Sequence, residues 1–149
     1  MQTTTTSKIP AGYAPVVPQL IIAGADKAIA FYQEAFGAKL MARSAGPDGK
    51  VIHARIEIGD AVVFLMDAMD NAKPTTANNF LYVDDIDAMY ARATKAGAKV
   101  NAPLADMFWG DRWASLSDPF GNTWQLGKHL EDVPPDELKR RMTKEMAKH

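Results

Sequence analysis

The chain contains no cysteine, and this absence excludes several kinds of chemistry at once. Disulfide bonds, a zinc site built on thiolates and a cysteine nucleophile are all ruled out. A chain without disulfides suits a reducing compartment, so we expect the protein to be cytoplasmic. Long apolar runs are also missing, since none approaches the roughly 20 residues that a membrane-spanning helix needs. The polar stretch 1–7 lacks the apolar core of a secretory signal.

A strong charge of either sign is absent as well. The 149 residues carry a formal net charge of −1, and the isoelectric point is near 6.3. This balance gives no electrostatic reason to bind nucleic acid or an anionic membrane. The hydrophobic fraction of 47% suffices for the core of one ordinary domain. Small molecules are therefore the expected partners.

What the chain does contain is an internal repeat. The letters FGAKL at 36–40 return as AGAKV at 96–100, and AI at 28–29 returns as AM at 88–89. Each copy predicts a strand, a helix and three further strands, because β-rich stretches, helical apolar spacing and turn residues follow in the same order. The predicted strands are 16–22, 39–44, 51–58 and 61–67, then 78–83, 99–102, 112–117 and 123–128; the helices are 26–36 and 86–96.

The repeat divides the chain into four segments that together form one structural domain. Residues 1–14, with their run of threonines, predict a flexible arm. Residues 15–70 and 71–133 are the two βαβββ modules. Residues 134–149 predict a C-terminal helix, because prolines and acidic residues stand at its start and lysines near its end.

Two local motifs connect this architecture with a known family. The stretch 28–37 (AIAFYQEAFG) and the hairpin 118–124 (DPFGNTW) resemble signatures of the vicinal oxygen chelate superfamily, which includes glyoxalases, bleomycin-resistance proteins and extradiol dioxygenases. The segments 46–50 (GPDGK) and 105–112 (ADMFWGDR) are similar to its PhnB-like branch. The resemblance implies an α+β fold in which two βαβββ modules form a cupped mixed sheet around a small-molecule cleft. It also implies a homodimer, since related proteins commonly form their clefts within dimers.

The resemblance further implies where a metal would be held. Catalytic members place four inward-facing His or Glu residues on the first and fourth strands of the modules. The matching positions here are Pro18, Met66 or its neighbour Phe64, Asn78 and Gln125. Proline and a thioether cannot hold a hard divalent ion, and neutral amides are weak ligands on their own. We therefore expect no cofactor at these positions.

His53 and Glu57 keep an enzymatic alternative open. Strand alternation puts His53, Arg55 and Glu57 on one face of the predicted strand 51–58. A histidine and a carboxylate on one face could act as an acid–base pair or as metal ligands. The chain would then be a lyase or dioxygenase that depends on Zn, Ni, Mn or Fe. The other interpretation is a solvated face on which Arg55 pairs with Glu57.

The stretch 106–113 (DMFWGDRW) concentrates aromatic and charged residues in a predicted connection. Trp109 and Arg112 could together stack on and pair with a planar or anionic ligand. Alternatively, the tryptophans are core or dimer residues and Asp111–Arg112 is a local ion pair. The favoured prediction is a metal-free binding protein in which six residues converge on one cleft: His53, Glu57, Asn78, Trp109, Arg112 and Gln125.

Overall fold

The structure is a computed structural model that describes residues 7–149. These residues form eight strands and three helices. In chain order the elements are β1 (Gln19–Ile22), α1 (Ala25–Phe36), β2 (Lys39–Ala45), β3 (Val51–Ile58), β4 (Ala61–Asp67), β5 (Asn78–Tyr82), α2 (Ile86–Ala96), β6 (Lys99–Asp106), β7 (Asp111–Ser117), β8 (Thr123–His129) and α3 (Pro135–Met146). The predicted arm 1–14 lies partly outside the described residues.

The strands form two four-stranded mixed sheets of the same topology. Their strand orders are β1-β4-β3-β2 and β5-β8-β7-β6. The pairs β1–β4 and β5–β8 are parallel, and the other neighbouring strands are antiparallel. The predicted α+β class, with two βαβββ modules and a C-terminal helix, is confirmed. The chain divides into two compact units, of which the first extends to Thr75 and the second begins at Thr76.

Each sheet carries its apolar residues on the face that meets its helix. In β3, alternation buries Ala54, Ile56 and Ile58 and leaves the intervening residues partly exposed. The first helix contributes seven buried side chains, Tyr32 and Phe36 among them. The second helix buries only Ile86 and Ala93. The two units therefore share a topology but differ in how much of the helix enters the core.

Local hydrogen bonds fix where the helices begin and end. The Asp67 carboxylate accepts from the backbone N–H groups of Ala25 and Val51, at 2.8 and 2.7 Å, and so ties the start of α1 to β3. The second helix is capped by Asp85, whose side chain accepts from Ala88 N–H. Gly37 ends α1 with a φ of 68°, a left-handed conformation that glycine adopts without strain.

The edge strands β2 and β6 show that the repeat extends to irregularities. The register of β2 shifts between Leu40 and Ala42, and that of β6 shifts between Val100 and Ala102. Both shifts come directly after a Gly-Ala-Lys sequence, at 37–39 and at 97–99. The strand predicted at 99–102 is longer than expected, because β6 continues through Pro103 to Asp106. Proline lacks a backbone donor, but an edge strand tolerates it where its nitrogen faces away from the neighbour.

The C-terminal helix α3 has no buried residue and is held mainly by ion pairs. Glu137 accepts from Arg140 and Arg141 on its own helix. These two guanidinium groups lower the pKa of Glu137 to about 2. None of the helices within residues 7–149 is long and apolar enough to cross a membrane.

Candidate ligand-binding face

The first unit presents the predicted polar face of β3, opposite its helix. His53, Arg55 and Glu57 are half-buried there, as alternation predicted. Arg55 does not form an ion pair with Glu57 but donates from Nη1 to the Tyr13 hydroxyl at 2.8 Å. The Arg55 guanidinium also lies 5.5 Å from the centre of the Tyr13 ring. The expected arm therefore lays one aromatic side chain across this face.

His53 and Glu57 are not brought together. Four residues along a strand correspond to about 13 Å between their Cα atoms, and Arg55 stands between them. The imidazole of His53 packs edge-on against Phe64, with ring centres 4.8 Å apart. Among residues 7–149 there is no group of three His, Cys, Asp or Glu side chains that could hold a metal ion. The geometry gives the proposed acid–base pair no direct contact.

The positions that the family resemblance matches to metal ligands hold amides and a thioether in this structure. In the first unit, β1 pairs with β4 so that Gln19, rather than Pro18, shares a face with Phe64 and Met66. Gln19 Nε2 lies 3.3 Å from Met66 Sδ. In the second unit, Gln125 Nε2 donates to Asn78 Oδ1 at 2.9 Å. A thioether and mutually bonded neutral amides do not fit a hard divalent cation.

The corresponding face of the second sheet carries a chain of polar contacts. Trp113 Nε1 donates to Gln125 Oε1 at 2.9 Å, so Gln125 links Trp113 to Asn78. Towards the far end of β7, Asn101 Nδ2 donates to the Ser117 hydroxyl at 2.8 Å. This face therefore offers amide and hydroxyl groups in fixed orientations, which is how specific sites recognise polar atoms of a small molecule.

An aromatic cluster lies beside these amides; we call Phe80, Tyr82, Trp109 and Trp113 the aromatic cluster. The ring centres of Trp109 and Trp113 are 5.5 Å apart, and those of Phe80 and Tyr82 are 4.8 Å apart. Register places Gly127 between Tyr82 on one side and Trp113 on the other. A Cβ added to Gly127 would lie 2.6 Å from Phe80 Cε1, so the glycine makes room for that ring.

Asp111 connects several elements at this end of the sheet through hydrogen bonds. Its carboxylate is only 5% exposed and accepts from Trp109 Nε1 at 3.2 Å and from the Tyr82 hydroxyl at 3.5 Å. His129 lies between two carboxylates, 3.0 Å from Asp111 through Nδ1 and 2.6 Å from Asp132 through Nε2. The hydrogen bond to Asp111, and then that to Asp132, raise the pKa of His129.

Arg112 does not belong to this face, which corrects the prediction that it shares a cleft with Trp109 and Gln125. The structure begins β7 one residue before the predicted strand 112–117, at Asp111, and alternation along β7 decides on which face each side chain lies. Arg112 pairs in register with Lys128, whereas Asp111 and Trp113 pair with His129 and Gly127 on the other face. Arg112 instead bonds Asp87 at 2.8 Å and Asp106 at 3.0 Å.

The turn that carries Trp109 is hydrogen-bonded to the segment that follows β8. Gly110 O accepts from the N–H groups of Leu130 and Glu131. Arg141 Nη1, on α3, donates to Phe108 O at 3.2 Å and to Glu131 at 2.6 Å. A Cβ on Gly110 would lie 2.5 Å from Glu131 O, so only glycine permits this contact without rearrangement. The C-terminal helix is thus attached to the turn beside the aromatic cluster.

Several residues of this face were missed by sequence reasoning. Phe80 and Tyr82 fall within a predicted strand, and His129 directly follows the last predicted strand. Their signal was present, because Asn78, Phe80 and Tyr82 alternate along β5 and are exposed. Asp111 was considered only as a partner of Arg112. Its burial and its bonds to Tyr82 and Trp109 depend on contacts between strands that the sequence does not reveal.

Comparison with known proteins identifies the family. The family model of the glyoxalase/bleomycin resistance protein/dioxygenase superfamily matches residues 15–126. The chain belongs to this superfamily, and the family resemblance deduced from the motifs is confirmed. The uncharacterized protein Mb0911c of Mycobacterium bovis is 39% identical over 137 residues, which cover 85% of this chain and 90% of that protein.

Solved structures of the same fold include proteins from Micromonospora and Streptomyces. TioX from Micromonospora sp. ML1 is 27% identical with a TM-score of 0.68, over 78% of this chain and 99% of that one. TnmS3 from Streptomyces sp. CB03234, described as an antibiotic binding protein, is 28% identical with a TM-score of 0.62, over 76% of this chain and 93% of that one.

Proposed function

We propose that the chain is a binding protein that captures a small planar molecule on the aromatic and amide face of its second sheet. The observation that carries this proposal is the outward exposure of large rings beside fixed polar groups: Phe80 is 43% and Tyr82 is 63% exposed. Exposed rings of this size mark interaction sites when they are clustered. The amides of Asn78 and Gln125 would set the orientation of the ligand.

Similarity to other proteins supports the proposal. TnmS3, whose description is antibiotic binding protein, is 28% identical to this chain. A family member can therefore serve as a binding protein, and the face described above has the groups that binding requires. Fold alone does not establish function, so the proposal rests on the face of the second sheet.

We also propose that binding needs no divalent metal. The family resemblance matches Asn78, Gln125 and Met66 to the metal-ligand positions of catalytic members, and here they present two mutually bonded amides and a thioether. Metal analysis of untagged protein, purified without chelator, should give far less than one Zn, Ni, Mn or Fe per chain. A stoichiometric metal that survives dialysis would instead favour the enzymatic alternative with His53 and Glu57.

Titration with 2-naphthamide tests the binding proposal directly. This neutral probe has a flat ring system for stacking and an amide that can replace the bond between Asn78 and Gln125. We expect saturable quenching of tryptophan fluorescence and a higher melting temperature, because a ligand that binds the native state stabilises it. Absence of both effects up to the solubility limit of the probe would contradict the proposal.

Two variants and a matched control locate the site. Gln125→Leu removes the amide that touches Trp113 and Asn78, and Phe80→Ala removes an exposed ring. Each should weaken 2-naphthamide binding about three- to thirtyfold, the range expected for one hydrogen bond or one stacked ring. Gln33→Leu changes an exposed amide on α1 and should leave the affinity unchanged. Equal affinities for all three variants would place the site elsewhere.

A second copy of the chain is the proposed protein partner. Both sheets end in exposed edge strands, and β2 is exposed along its whole length. Unpaired strand edges are usually covered, and two-fold pairs are the commonest assembly. Light scattering at micromolar concentration should give about twice the monomer mass of 16.3 kDa. A mass equal to that of the monomer would overturn this part of the proposal.

A further inference from the structure

The aromatic cluster lies beside the buried carboxylate of Asp111, and Arg112, which was predicted to lie there, is on the opposite face of the sheet. Trp109 and Tyr82 both contact Asp111, while Arg112 bonds Asp87 and Asp106 on the opposite face. We propose that the ligand of this face is a planar organic cation rather than an anion. The inference rests on the proposed function, because it names the charge of the ligand that the same face binds.

The first argument is the electronic state of the rings. Trp109 donates its Nε1–H, and Tyr82 its hydroxyl, to the Asp111 carboxylate. Donation to a negative acceptor shifts electron density into the donor's ring, because hydrogen-bonded groups polarise one another. A ring with a more negative face attracts cations more strongly. The Asp111 carboxylate therefore strengthens the attraction of the Trp109 and Tyr82 rings for a cation.

The second argument is the inventory of charges around the cluster. Asp111 on β7, His129 on β8 and Asp132 on the following segment form one group. With His129 protonated, the group keeps one net negative charge. Lys128 lies on the other face by register. Arg141 is already bonded to Glu131 and Glu137.

Lys99 does not offset this charge. It pairs with Ser117, at the end of β7 away from Asp111, and six residues of strand separate the two ends by about 20 Å. At physiological ionic strength, exposed charges that far apart are largely screened from each other. The negative sign of the Asp111 group therefore dominates at the aromatic cluster.

Three probes with one ring system separate charge from stacking. They are 2-naphthamide (neutral), 2-naphthyltrimethylammonium (cationic) and 2-naphthalenesulfonate (anionic). Each is titrated into the full chain at pH 7 and low salt, and the readout is the ratio of the cation's affinity to that of the neutral probe. We expect the cation to bind about tenfold more tightly than the neutral probe, and the sulfonate most weakly.

The outcomes separate this inference from the proposed function. Equal binding of cation and neutral probe, or tighter binding of the sulfonate, would overturn the inference and leave the binding proposal standing. Failure of all three probes to bind would overturn both. A cation preference that also shrinks in 0.5 M NaCl would support the electrostatic origin, because salt screens such an attraction.

Opposite changes in two variants provide the decisive test. Asp111→Asn removes the negative charge and should lower the affinity ratio towards one. Tested at pH 6, below the raised pKa of His129, His129→Gln removes the positive charge that offsets Asp111 and should raise the ratio above that of the wild type. Asp106→Asn is the matched control, since Asp106 is an exposed carboxylate that bonds Arg112 on the other face. If Asp111→Asn does not fold, the His129→Gln result decides: an unchanged or lower ratio overturns the inference.

Discussion

The two units are built to one plan, yet their exposed sheet faces differ. In the first, the N-terminal arm places Tyr13 against Arg55 and Phe64, with ring centres of Tyr13 and Phe64 5.7 Å apart. In the second, the rings of Phe80 and Tyr82 remain exposed beside a pair of bonded amides. The comparison shows how a repeated module can specialise: the helix and the bulge of the edge strand are retained, while the side chains of one sheet face are replaced.

The hairpins differ in the same way. The first unit joins β3 to β4 through the two residues Gly59 and Asp60. The second joins β7 to β8 through a longer turn in which the buried Asp118 carboxylate accepts from Phe120 N–H, Asn122 N–H and Trp124 Nε1. One acidic residue is thus a solvated turn residue, and the other organises a turn and anchors a core tryptophan.

The largest effect is expected from Asp118→Ala. Its removal leaves three donors without their acceptor in a buried turn, which should lower the free energy of unfolding by about 2–4 kcal/mol. Asp60→Ala, the matched control in the exposed turn of the first unit, should change it by less than about 0.5 kcal/mol. Urea unfolding of both variants measures the difference. Similar losses in the two would show that the hairpins are not distinguished in this way.

Much of the fold could be predicted because it follows local rules. The bounds predicted for β3, β4 and α2 agree with the structure, since alternation, the Gly59–Asp60 turn and helical apolar spacing are properties of short stretches. Boundaries next to proline were less accurate. Strand β1 begins after Pro18 rather than at Val16, and β6 continues through Pro103.

The candidate site could be predicted only in part. Asn78 and Gln125 were found through motifs close to them, and the structure bonds them to each other. Alternation along the predicted strand 112–117 already separates Arg112 from Ser115, the neighbour of Gln125, so the prediction that Arg112 shares their face was wrong. Asp111 lay just before the predicted strand 112–117, and its partners Tyr82 and His129 lie on other strands.

A second test uses Gly127, the glycine between Tyr82 and Trp113. In Gly127→Ala the new Cβ would meet Phe80 Cε1 at 2.6 Å, so the ring must move. We expect a loss of about 1–3 kcal/mol in stability and weaker binding of 2-naphthamide. Gly46→Ala in the first unit is the control, because its Cβ would meet the Asp48 carboxylate at 3.2 Å in a loop. Unchanged binding by Gly127→Ala would separate the ligand from Phe80.

A smaller effect is expected when the C-terminal helix α3, which lies outside the two repeated modules, loses one of its attachments. Arg141→Ala removes the donor that joins α3 to Phe108 O and Glu131. Since Phe108 precedes Trp109 in the turn, we expect about three- to tenfold weaker binding of 2-naphthamide, as expected when one hydrogen bond to a charged group is lost. Arg140→Ala is the matched control, because Arg140 donates to Glu137 on its own helix.

The readouts for this pair of variants distinguish positioning from stability. Both remove a partner of Glu137, so both should lower the melting temperature slightly, and Arg141→Ala somewhat more because it also loses the bonds to Phe108 O and Glu131. Only Arg141→Ala should alter the affinity, and Arg141→Lys should restore it in part, because a lysine supplies one donor but not the guanidinium fork. Equal affinities of Arg140→Ala and Arg141→Ala would show that α3 does not position the Trp109 turn.

The smallest effect is a change of stability with pH that depends on His129 in the second unit. The histidine of the first unit, His53, packs against the ring of Phe64 rather than against a carboxylate. Bonds to Asp111 and Asp132 raise the pKa of His129 above its ordinary value, which is about 6.5. A raised folded-state pKa stabilises the protein fully below the unfolded value, and this contribution is lost as the pH rises through the folded one. The wild type should therefore melt higher than His129→Gln at pH 5.5, and the gap should narrow by pH 9. Thermal melts across this range, with His53→Gln as the control, measure the gap; one that widens with pH would mean that His129 is held in its neutral form.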